Sequence, residues 1–315
     1  MRRRNPPPPA RGGRGLAVGM PSGIGVVDLL IGFPHTERSV DDFSFRPLLK
    51  DEGSAGMQFP AEYMFKHLPD NIETEQDPVA ATLAEMDKNG VEIGLIGVGN
   101  PVSERALRDH PRRFAGCVGV DPNEITPSVR KIRAAHEQFG IKAVMVFPAG
   151  CVPQVAVSDR KMYPIFQTCI DLDVPIIANA GVPGPRVPME CQDVRHFDQV
   201  CYDFPELRIV MCHGAEPWEA LAVKLMLKWP GLHYMPSAFA PKYYPKAIID
   251  YANTRGAEKI MYAGYHPMGL TLERIFSEMP GVPLKDEVWP KFLRENAMRV
   301  FKLDQPTLTD LDLIS

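Results

Sequence analysis

Four polar residues that could move or stabilise a proton follow apolar runs late in the chain. His213 ends the run "RIVMCH", Glu216 follows it within one helical turn, and Tyr265 and His266 come directly after "KIMYAG". A histidine can act as a general acid or base because its ordinary pKa lies near neutrality. A tyrosine hydroxyl can donate a hydrogen bond to a developing oxyanion. These residues are therefore the candidate catalytic groups of a site that works by acid–base chemistry.

Each candidate also has a structural interpretation. His213 could be a buried histidine held in place by a hydrogen bond, and Glu216 a first-turn acid favoured by the helix dipole. Glu216 could equally orient His213 or take the proton role itself. Adjacent residues on an extended segment point to opposite sides, so only one of Tyr265 and His266 is expected to face a substrate. The register favours Tyr265.

A second group of residues is predicted to hold the substrate. Asn179, at the start of the loop "NAGVPGPR", offers an amide and a carbonyl, although it could serve only to cap the loop. Arg186 in the same loop could clamp a carboxylate or a phosphate, or could be solvated. The remaining predicted members are His35, Ser237 and Asp28, of which Asp28 lies deeper, inside the first strand.

The elements that must position these residues repeat one rhythm: an apolar run, a turn and an amphipathic helix. The eight apolar runs are "IGVVDLLI", "VEIGLIGV", "AGCVGV", "IKAVMVF", "VPIIANA", "RIVMCH", "LHYMPSA" and "KIMYAG". Such runs suit parallel strands covered on both faces. Eight units in a chain of this length predict an α/β fold, a (β/α)8 TIM barrel, whose active site lies at the carboxyl ends of the strands. A doubly wound sheet is the alternative, but no glycine fingerprint follows a strand.

The helices carry their own signals. Asp77 is a predicted N-cap, Pro78 takes the first helical position, and Gly90 lies just past the end. The helix in "EALAVKLMLKWPG" is expected to stop at Trp229, before a proline. Its predicted buried stripe is Leu221, Leu225 and Leu227.

Two segments depart from the repeat. Residues 33–76 form a long insertion after strand one, and its five aromatic residues favour a docked lid over disorder. The aromatic residues are Phe43, Phe45, Phe59, Tyr63 and Phe65. The segment "EVWPKFLRENAMRVFKL" predicts an extra C-terminal helix on the outside of the barrel. Residues 1–19 predict a disordered, basic, Pro/Gly-rich tail, which leaves residues 20–315 as one barrel domain.

Composition narrows the class of protein. The chain has 315 residues, 45% of them hydrophobic, and a formal net charge of -4. It therefore offers no general reason to expect nucleic acid or an anionic membrane as partner, and no apolar run is long enough to span a bilayer. The six cysteines have no CxxC pair, and four of them lie in apolar surroundings that predict reduced core residues: Cys117, Cys169, Cys201 and Cys212. This pattern indicates a cytoplasmic protein.

Several segments, in order, resemble the amidohydrolase-related family, especially its branch of decarboxylases and lactone hydrolases. They are "HPRRFAGCVGVDP", "FPELRIVMCHGAEPW", "PSAFAPKYYP", "KIMYAGYHP" and "ENAMRVF". The resemblance runs roughly from Val26 to Leu303. It implies the same barrel, a small-molecule substrate and, because such barrels often dimerise, a homo-oligomer. It also implies one divalent metal, held by an HxH pair on strand one, a His after strand five, sometimes a His after strand six, and an Asp after strand eight.

The metal ligands are where the sequence departs from the family. Leu30 and Gly32 occupy the HxH positions, Asn179 replaces the strand-five histidine, and Tyr265 stands at the acidic position; His213 alone matches. Leucine and glycine have no side-chain lone pair, so the sequence predicts no metal and no other cofactor. A new site built from His35, His213 and His266 is the remaining metal alternative.

Three functions remain open. The first is a metal-independent lyase that hydrates or dehydrates an activated alkene, or removes CO2, on a bulky cyclic or CoA-thioester substrate. The second is a lactone or ester hydrolase in which His213 activates water, although no GxSxG elbow is present. The third is a non-catalytic member that binds a ligand or a partner. The first is favoured because protonatable or polar side chains have replaced two of the ligands.

Overall fold

The structure is a computed structural model that describes residues 19–37, 39–73 and 75–303. The predicted basic tail therefore lies outside the described residues, apart from Gly19. Within the described part, seven parallel strands form one sheet in chain order. They are β1 Val26–Asp28, β2 Val91–Val98, β3 Phe114–Gly119, β4 Ala143–Val146, β5 Ile176–Asn179, β6 Ile209–Cys212 and β7 Leu232–Met235. The helices that accompany them are α1 Pro78–Lys88, α2 Pro101–Asp109, α3 Ile125–Phe139, α4 Tyr163–Asp171, α5 Arg195–Asp203, α6 Glu219–Lys228, α7 Lys246–Ala252, α8 Leu272–Glu278 and α9 Asn296–Phe301.

The predicted eighth strand is present as an extended segment, residues 259–266, between β7 and β1. The Tyr234 amide donates to the Lys259 carbonyl at 3.0 Å, and the Gly32 amide donates to the His266 carbonyl at 2.8 Å. The segment makes only isolated bridges because two of its amides bond elsewhere. Tyr262 N donates to the Phe292 carbonyl, and Gly264 N donates to the Asp28 carboxylate. The TIM-barrel prediction is confirmed, with a closing segment in place of a regular eighth strand.

Asp28 is the residue that joins this segment to β1, and it is fully buried. Its carboxylate accepts hydrogen bonds from Gly264 N at 2.7 Å, Leu30 N at 3.0 Å and the Tyr262 hydroxyl at 3.1 Å. Burial raises the pKa of Asp28 to about 6, against the effect of these three donors. Val27 and Leu29 pack inside the barrel, so Asp28 between them points the other way. A substrate-binding role for Asp28 stays a prediction, and the contacts of its oxygens join β1 to the closing segment.

A cluster of apolar side chains fills the barrel interior, and the C-terminal helix contributes to it. Ala297, Val300 and Phe301 of α9 pack with inward-facing residues such as Val27 and Leu95. The Asn296 side chain donates to the carbonyls of Ala257 and Ile260, just before the closing segment and at its start. The C-terminal helix, predicted on the outside, instead covers the end at which the strands begin. Its small and apolar residues fit the narrow interior there.

His233 is a buried histidine at this closed end, and it provides a test of the fold. Burial, followed by the charges of Lys259 and Arg299, lowers its pKa from 6.5 to about 3. Between pH 6.5 and pH 3, His233 binds a proton in the unfolded chain but stays neutral in the folded chain. This residue therefore makes the free energy of unfolding fall as pH drops from 6.5 towards 3.

We expect the His233→Gln variant to show a flatter loss of stability with acid than the parent protein. The difference in slope should approach about 1.4 kcal/mol per pH unit between pH 6 and pH 4. Urea unfolding at several pH values measures it, with His110→Gln as the matched control. Equal slopes in parent and His233→Gln would contradict the buried, neutral imidazole.

The predicted N-cap of α1 and the predicted end of α6 are confirmed, whereas the predicted buried stripe of α6 is partly wrong. Asp77 caps α1 by accepting from the Val79 amide at 3.0 Å, and α6 ends before Trp229 as predicted. The buried residues of α6 are Ala222, Leu225 and Met226, whereas Leu227 is 47% exposed. Residues two apart in a helix lie about 200° apart around its axis, so Leu225 and Leu227 cannot share a face.

The insertion of residues 33–76 is docked on the ends of the strands by its aromatic side chains. Phe45 packs edge-on against Phe147, just after β4, with ring centroids 5.3 Å apart. Phe65 stacks on Tyr265 at 5.9 Å. The four cysteines predicted in the core are free and buried, and so are Cys151 and Cys191. Among the described residues, no helix has the length and apolar character needed to cross a membrane.

Candidate active site

His213 leaves β6 through a left-handed turn. Its φ is 71°, and that of Ala215 is 57°. Side chains rarely adopt this conformation, and residues held in it are concentrated at functional sites. The turn takes His213 out of the strand direction at the carboxyl end of the barrel, where such enzymes carry their active sites.

Ser237, which follows β7, holds the His213 ring. The Ser237 hydroxyl lies 3.0 Å from His213 Nδ1 and accepts from the His213 amide at 3.0 Å. Ser237 is itself fully buried. The sequence suggested Glu216 as an orienting group, but no hydrogen bond joins Glu216 to His213 among the described contacts. Because Ser237 occupies Nδ1, Nε2 is the ring nitrogen left for a ligand.

The surroundings of His213 keep its imidazole neutral. Burial lowers the pKa of His213 to about 4, although the hydrogen bond of Nδ1 to the Ser237 backbone carbonyl, at 3.4 Å, acts in the opposite direction. At neutral pH the ring is therefore uncharged and can accept a proton from a bound molecule. This protonation state is that of a general base, and the lowered pKa makes His213 a weaker base than an ordinary imidazole.

Tyr265 lies beside His213. The Tyr265 ring meets the His213 ring edge-on, with centroids 5.9 Å apart, and its other side carries the Phe65 stack. Burial raises the pKa of Tyr265 to about 12, so its hydroxyl keeps its proton and can donate it to an oxyanion. His266 is 9% exposed and its backbone pairs with Ile31 and Gly32. That Tyr265 is the one of the two that faces a substrate stays a prediction.

Asn179 reaches the same region from the end of β5. Its Oδ1 accepts from the Cys212 thiol at 3.2 Å, which orients the amide. Its Nδ2 has no hydrogen-bond partner among the described residues and is available as a donor. Sequence reasoning assigned Cys212 only to the core and missed this orienting contact. The adjacency of Cys212 to His213 was the one available signal.

Open space faces these groups across the barrel mouth. Gly97 and Gly119 follow the inward-facing Leu95 and Cys117 by two residues, so they point into the same interior. Both glycines are exposed, and a Cβ added to either would meet nothing within 4 Å. At these two positions the mouth is therefore not filled by neighbouring atoms.

Glu216 stays near this region without a direct contact to the imidazole. Its Cγ lies beside Gly214, since a Cβ added there would be 3.2 Å away. Burial, with a smaller contribution from Glu219, raises the pKa of Glu216. A larger fraction of protonated carboxyl is thus available than for an ordinary glutamate, which suits a proton donor more than an orienting group.

Arg186 holds the insertion in place. Its Nη1 donates to Asp51 at 2.5 Å, and its guanidinium lies 4.4 Å from the centre of the Tyr63 ring. The Tyr63 hydroxyl donates to the Gly184 carbonyl at 2.7 Å in the same loop. Hydrogen bonds from Ser54 and Arg186 lower the pKa of Asp51. The predicted carboxylate clamp thus has a carboxylate of this chain as its partner.

We expect the Arg186→Ala variant to release the insertion. Limited proteolysis should cut residues 33–76 several-fold faster than in the parent, because opening of that segment becomes cheaper. Arg133→Ala is the matched control, since Arg133 pairs with Asp171 in the helix layer. Equal cutting rates in parent and Arg186→Ala would show that the aromatic contacts alone hold the insertion.

His35 lies on the exposed part of the insertion, where its carbonyl accepts from the Ile72 amide at 3.1 Å. A role for His35 in substrate binding stays a prediction. The three-histidine metal alternative is not supported, because no group of three or more His, Cys, Asp or Glu in the described residues is placed to hold a metal ion.

The donor set at the family's metal positions does not fit a divalent ion. Leu30 and Gly32 offer no side-chain donor, and Asn179 Oδ1 already accepts from Cys212. Tyr265, with its pKa raised to about 12, remains a neutral phenol at physiological pH. His213 is then the one good ligand at these positions, whereas a zinc site needs three or four.

Comparisons with known proteins agree with the fold. Residues 100–303, more than half of the chain, match the family model described as Amidohydrolase. An uncharacterised TIM-barrel protein from Bordetella bronchiseptica is 20% identical with a TM-score of 0.69, over 88% of this chain and 98% of that one. No curated protein matches the chain.

Two solved enzymes are similar in fold. A 2,6-dihydroxybenzoate decarboxylase from Rhizobium is 14% identical with a TM-score of 0.61, over 89% of this chain and 99% of that one. A 4-oxalomesaconate hydratase from Rhodopseudomonas palustris is 15% identical with a TM-score of 0.57, over 92% of this chain and 97% of that one. At these identities the likeness establishes the fold alone.

Proposed function

This chain belongs to the amidohydrolase family, and on that premise we propose that it is a metal-independent lyase that hydrates or dehydrates an activated alkene. The observation that carries the proposal is the pairing of His213 with Tyr265. Their pKa values, about 4 and about 12, make one a neutral proton acceptor and the other a neutral hydrogen-bond donor at pH 7. Enolate chemistry needs both groups at one carbonyl-bearing substrate.

The proposed dehydration assigns one role to each side chain. His213 Nε2 takes the proton from the carbon next to a carbonyl, and the resulting enolate oxygen accepts from the Tyr265 hydroxyl and Asn179 Nδ2. The C–O bond to the neighbouring hydroxyl then breaks, the C=C bond forms, and Glu216 supplies the proton that lets the group leave as water. Hydration is the same sequence reversed, so Glu216 is then the base that activates water.

The mouth of the barrel supports a cyclic or otherwise bulky apolar substrate with an activated carbonyl. Phe65 and Phe147 border the mouth, and Gly97 and Gly119 leave space opposite them. A CoA thioester is one such carbonyl, and an unsaturated or hydroxy carboxylic acid is another. The names of the two similar enzymes include a decarboxylase and a hydratase, so lyase chemistry occurs on this fold.

The first experiment combines metal removal with a substrate panel. Activity on unsaturated acids and thioesters, followed by loss of ultraviolet absorbance, should stay within about twofold after dialysis against a chelator. Metal content measured by mass spectrometry should be well below one ion per chain. A stoichiometric metal whose loss abolishes activity would overturn the metal-independent mechanism. CO2 release, or an acid plus an alcohol as products, would identify decarboxylation or hydrolysis instead.

A non-catalytic role is separated by the same panel. A binding protein would gain thermal stability with a ligand but would show no product. The homo-oligomer and the cytoplasmic location remain predictions, and size-exclusion chromatography with light scattering tests the first.

A further inference from the structure

A cavity lies beside the barrel mouth, and we call it the side pocket. It has a volume of about 280 Å³. Its walls come from four places: the end of the insertion, the turn after β7, the chain between the closing segment and α8, and α8 itself. The residues that line it include Lys66, His67, Lys242, Gly269, Arg274 and Glu278.

The side pocket has more positive than negative charge. Lys242 and Arg274 both reach one oxygen of Glu278, at 3.4 Å and 3.3 Å. The other oxygen, Oε2, is buried without a hydrogen-bond partner among the described residues. Lys66 and His67 form no ion pair with any described carboxylate. One carboxylate, that of Glu278, therefore faces three permanent cations: Lys66, Lys242 and Arg274. Because the ion pairs of Lys242 and Arg274 with Glu278 are long, these side chains can donate hydrogen bonds to an anion that enters the pocket.

The geometry of these donors suits an anion with several oxygens. Lys66 comes from the insertion, Lys242 from the turn after β7 and Arg274 from α8, so the cations approach from separate directions. Arg274 uses only Nε towards Glu278, which leaves its terminal nitrogens available. Arginine and lysine together bind phosphate oxygens through charge-assisted hydrogen bonds. A single carboxylate group would satisfy fewer of them.

The side pocket shares a wall with the candidate active site. A Cβ added to Gly269 would lie 2.6 Å from the Phe65 ring, so the backbone of Gly269 packs directly on that ring. Phe65 stacks in turn on Tyr265, whose carbonyl accepts from the amides of Gly269 and Leu270. An anion bound by Lys66 and Arg274 would tie the insertion to the barrel next to this stack.

We propose that the side pocket is a binding site for a phosphate or pyrophosphate group. The group is either a free anion or the charged end of a larger ligand. It is held by Lys66, Lys242 and Arg274, and its binding fixes the insertion over the mouth. None of these three cations takes part in the proposed reaction at His213, so anion binding can be measured apart from turnover.

Calorimetric titration with pyrophosphate at low salt tests this proposal without any substrate. We expect saturable binding that weakens by about tenfold in Lys66→Ala and further in the Lys66→Ala/Lys242→Ala double variant. Lys246→Ala is the matched control, because Lys246 is an exposed lysine paired with Asp250 outside the pocket. It should bind within about twofold of the parent. Both lysines are exposed, so the variants should fold, and thermal unfolding without ligand checks this.

Two results would overturn the site: no saturable binding of pyrophosphate, or an unchanged affinity in the double variant. Competition by coenzyme A distinguishes the sources. Displacement of pyrophosphate at lower concentration by coenzyme A supports a group carried on a larger ligand, and failure to displace supports a free anion. The titration needs no turnover, so failure of the lyase proposal would leave its outcome unaffected, and the reverse also holds.

Discussion

Replacing His213 by glutamine is expected to lower kcat by about 10²- to 10⁴-fold, because the variant lacks the proton acceptor. Glutamine can keep a hydrogen bond to Ser237, so the turn after β6 should remain. In the parent protein, the proton-accepting form exists above a pKa of about 4 and is lost as pH falls through that value. Activity should therefore be flat from pH 5 to neutrality as far as His213 is concerned.

Steady-state kinetics from pH 4.5 to 8 checks this prediction, with His110→Gln as the control. His110 lies at the end of α2, outside the site, and its variant should match the parent. Retention of activity in His213→Gln would remove the imidazole from the chemistry. A fall in parent activity centred near pH 6.5, absent in His213→Gln, would contradict the lowered pKa of the buried ring.

Ser237→Ala extends the same test to a positioning residue. The variant removes the hydroxyl contact to His213 Nδ1 and keeps the contact of the residue 237 backbone carbonyl at 3.4 Å, so the ring is held less firmly and kcat should fall while KM stays nearly constant. A fall smaller than that of His213→Gln is expected. An unchanged kcat would mean that the backbone turn alone sets the ring.

Replacing Tyr265 by phenylalanine is expected to lower kcat by about 10²- to 10³-fold with little change in KM, because it removes one oxyanion donor. The variant keeps the ring, so the Phe65 stack and the edge contact with His213 persist. The parent hydroxyl keeps its proton below a pKa of about 12. Tyr265 should therefore cause no loss of activity between pH 8 and pH 10.

Tyr243→Phe is the matched control, since Tyr243 is 60% exposed and lies outside the mouth. Thermal unfolding of Tyr265→Phe should match the parent, which separates a catalytic loss from a folding defect. A large rise in KM with an unchanged kcat would assign Tyr265 to ground-state binding and would remove it from the proposed oxyanion site.

The sequence by itself determined the barrel and the position of His213 at its mouth. Continuous apolar runs require burial on both faces, and alternation with amphipathic helices leaves few architectures in which both needs are met. Asp77 and Pro78 began α1 as predicted because capping is a local property. The absence of side-chain donors at Leu30 and Gly32 was also readable without coordinates.

The tertiary structure alone decided which side chains meet. Ser237 lies 24 residues from His213, and Phe65 lies 200 residues from Tyr265, so no periodicity links either pair. The packing also gave Arg186 an internal partner, joined Asp28 to the closing segment and placed the C-terminal helix across the closed end. These outcomes depend on long-range packing and desolvation, which set the pKa values of His213 and Tyr265 and which a linear pattern does not encode.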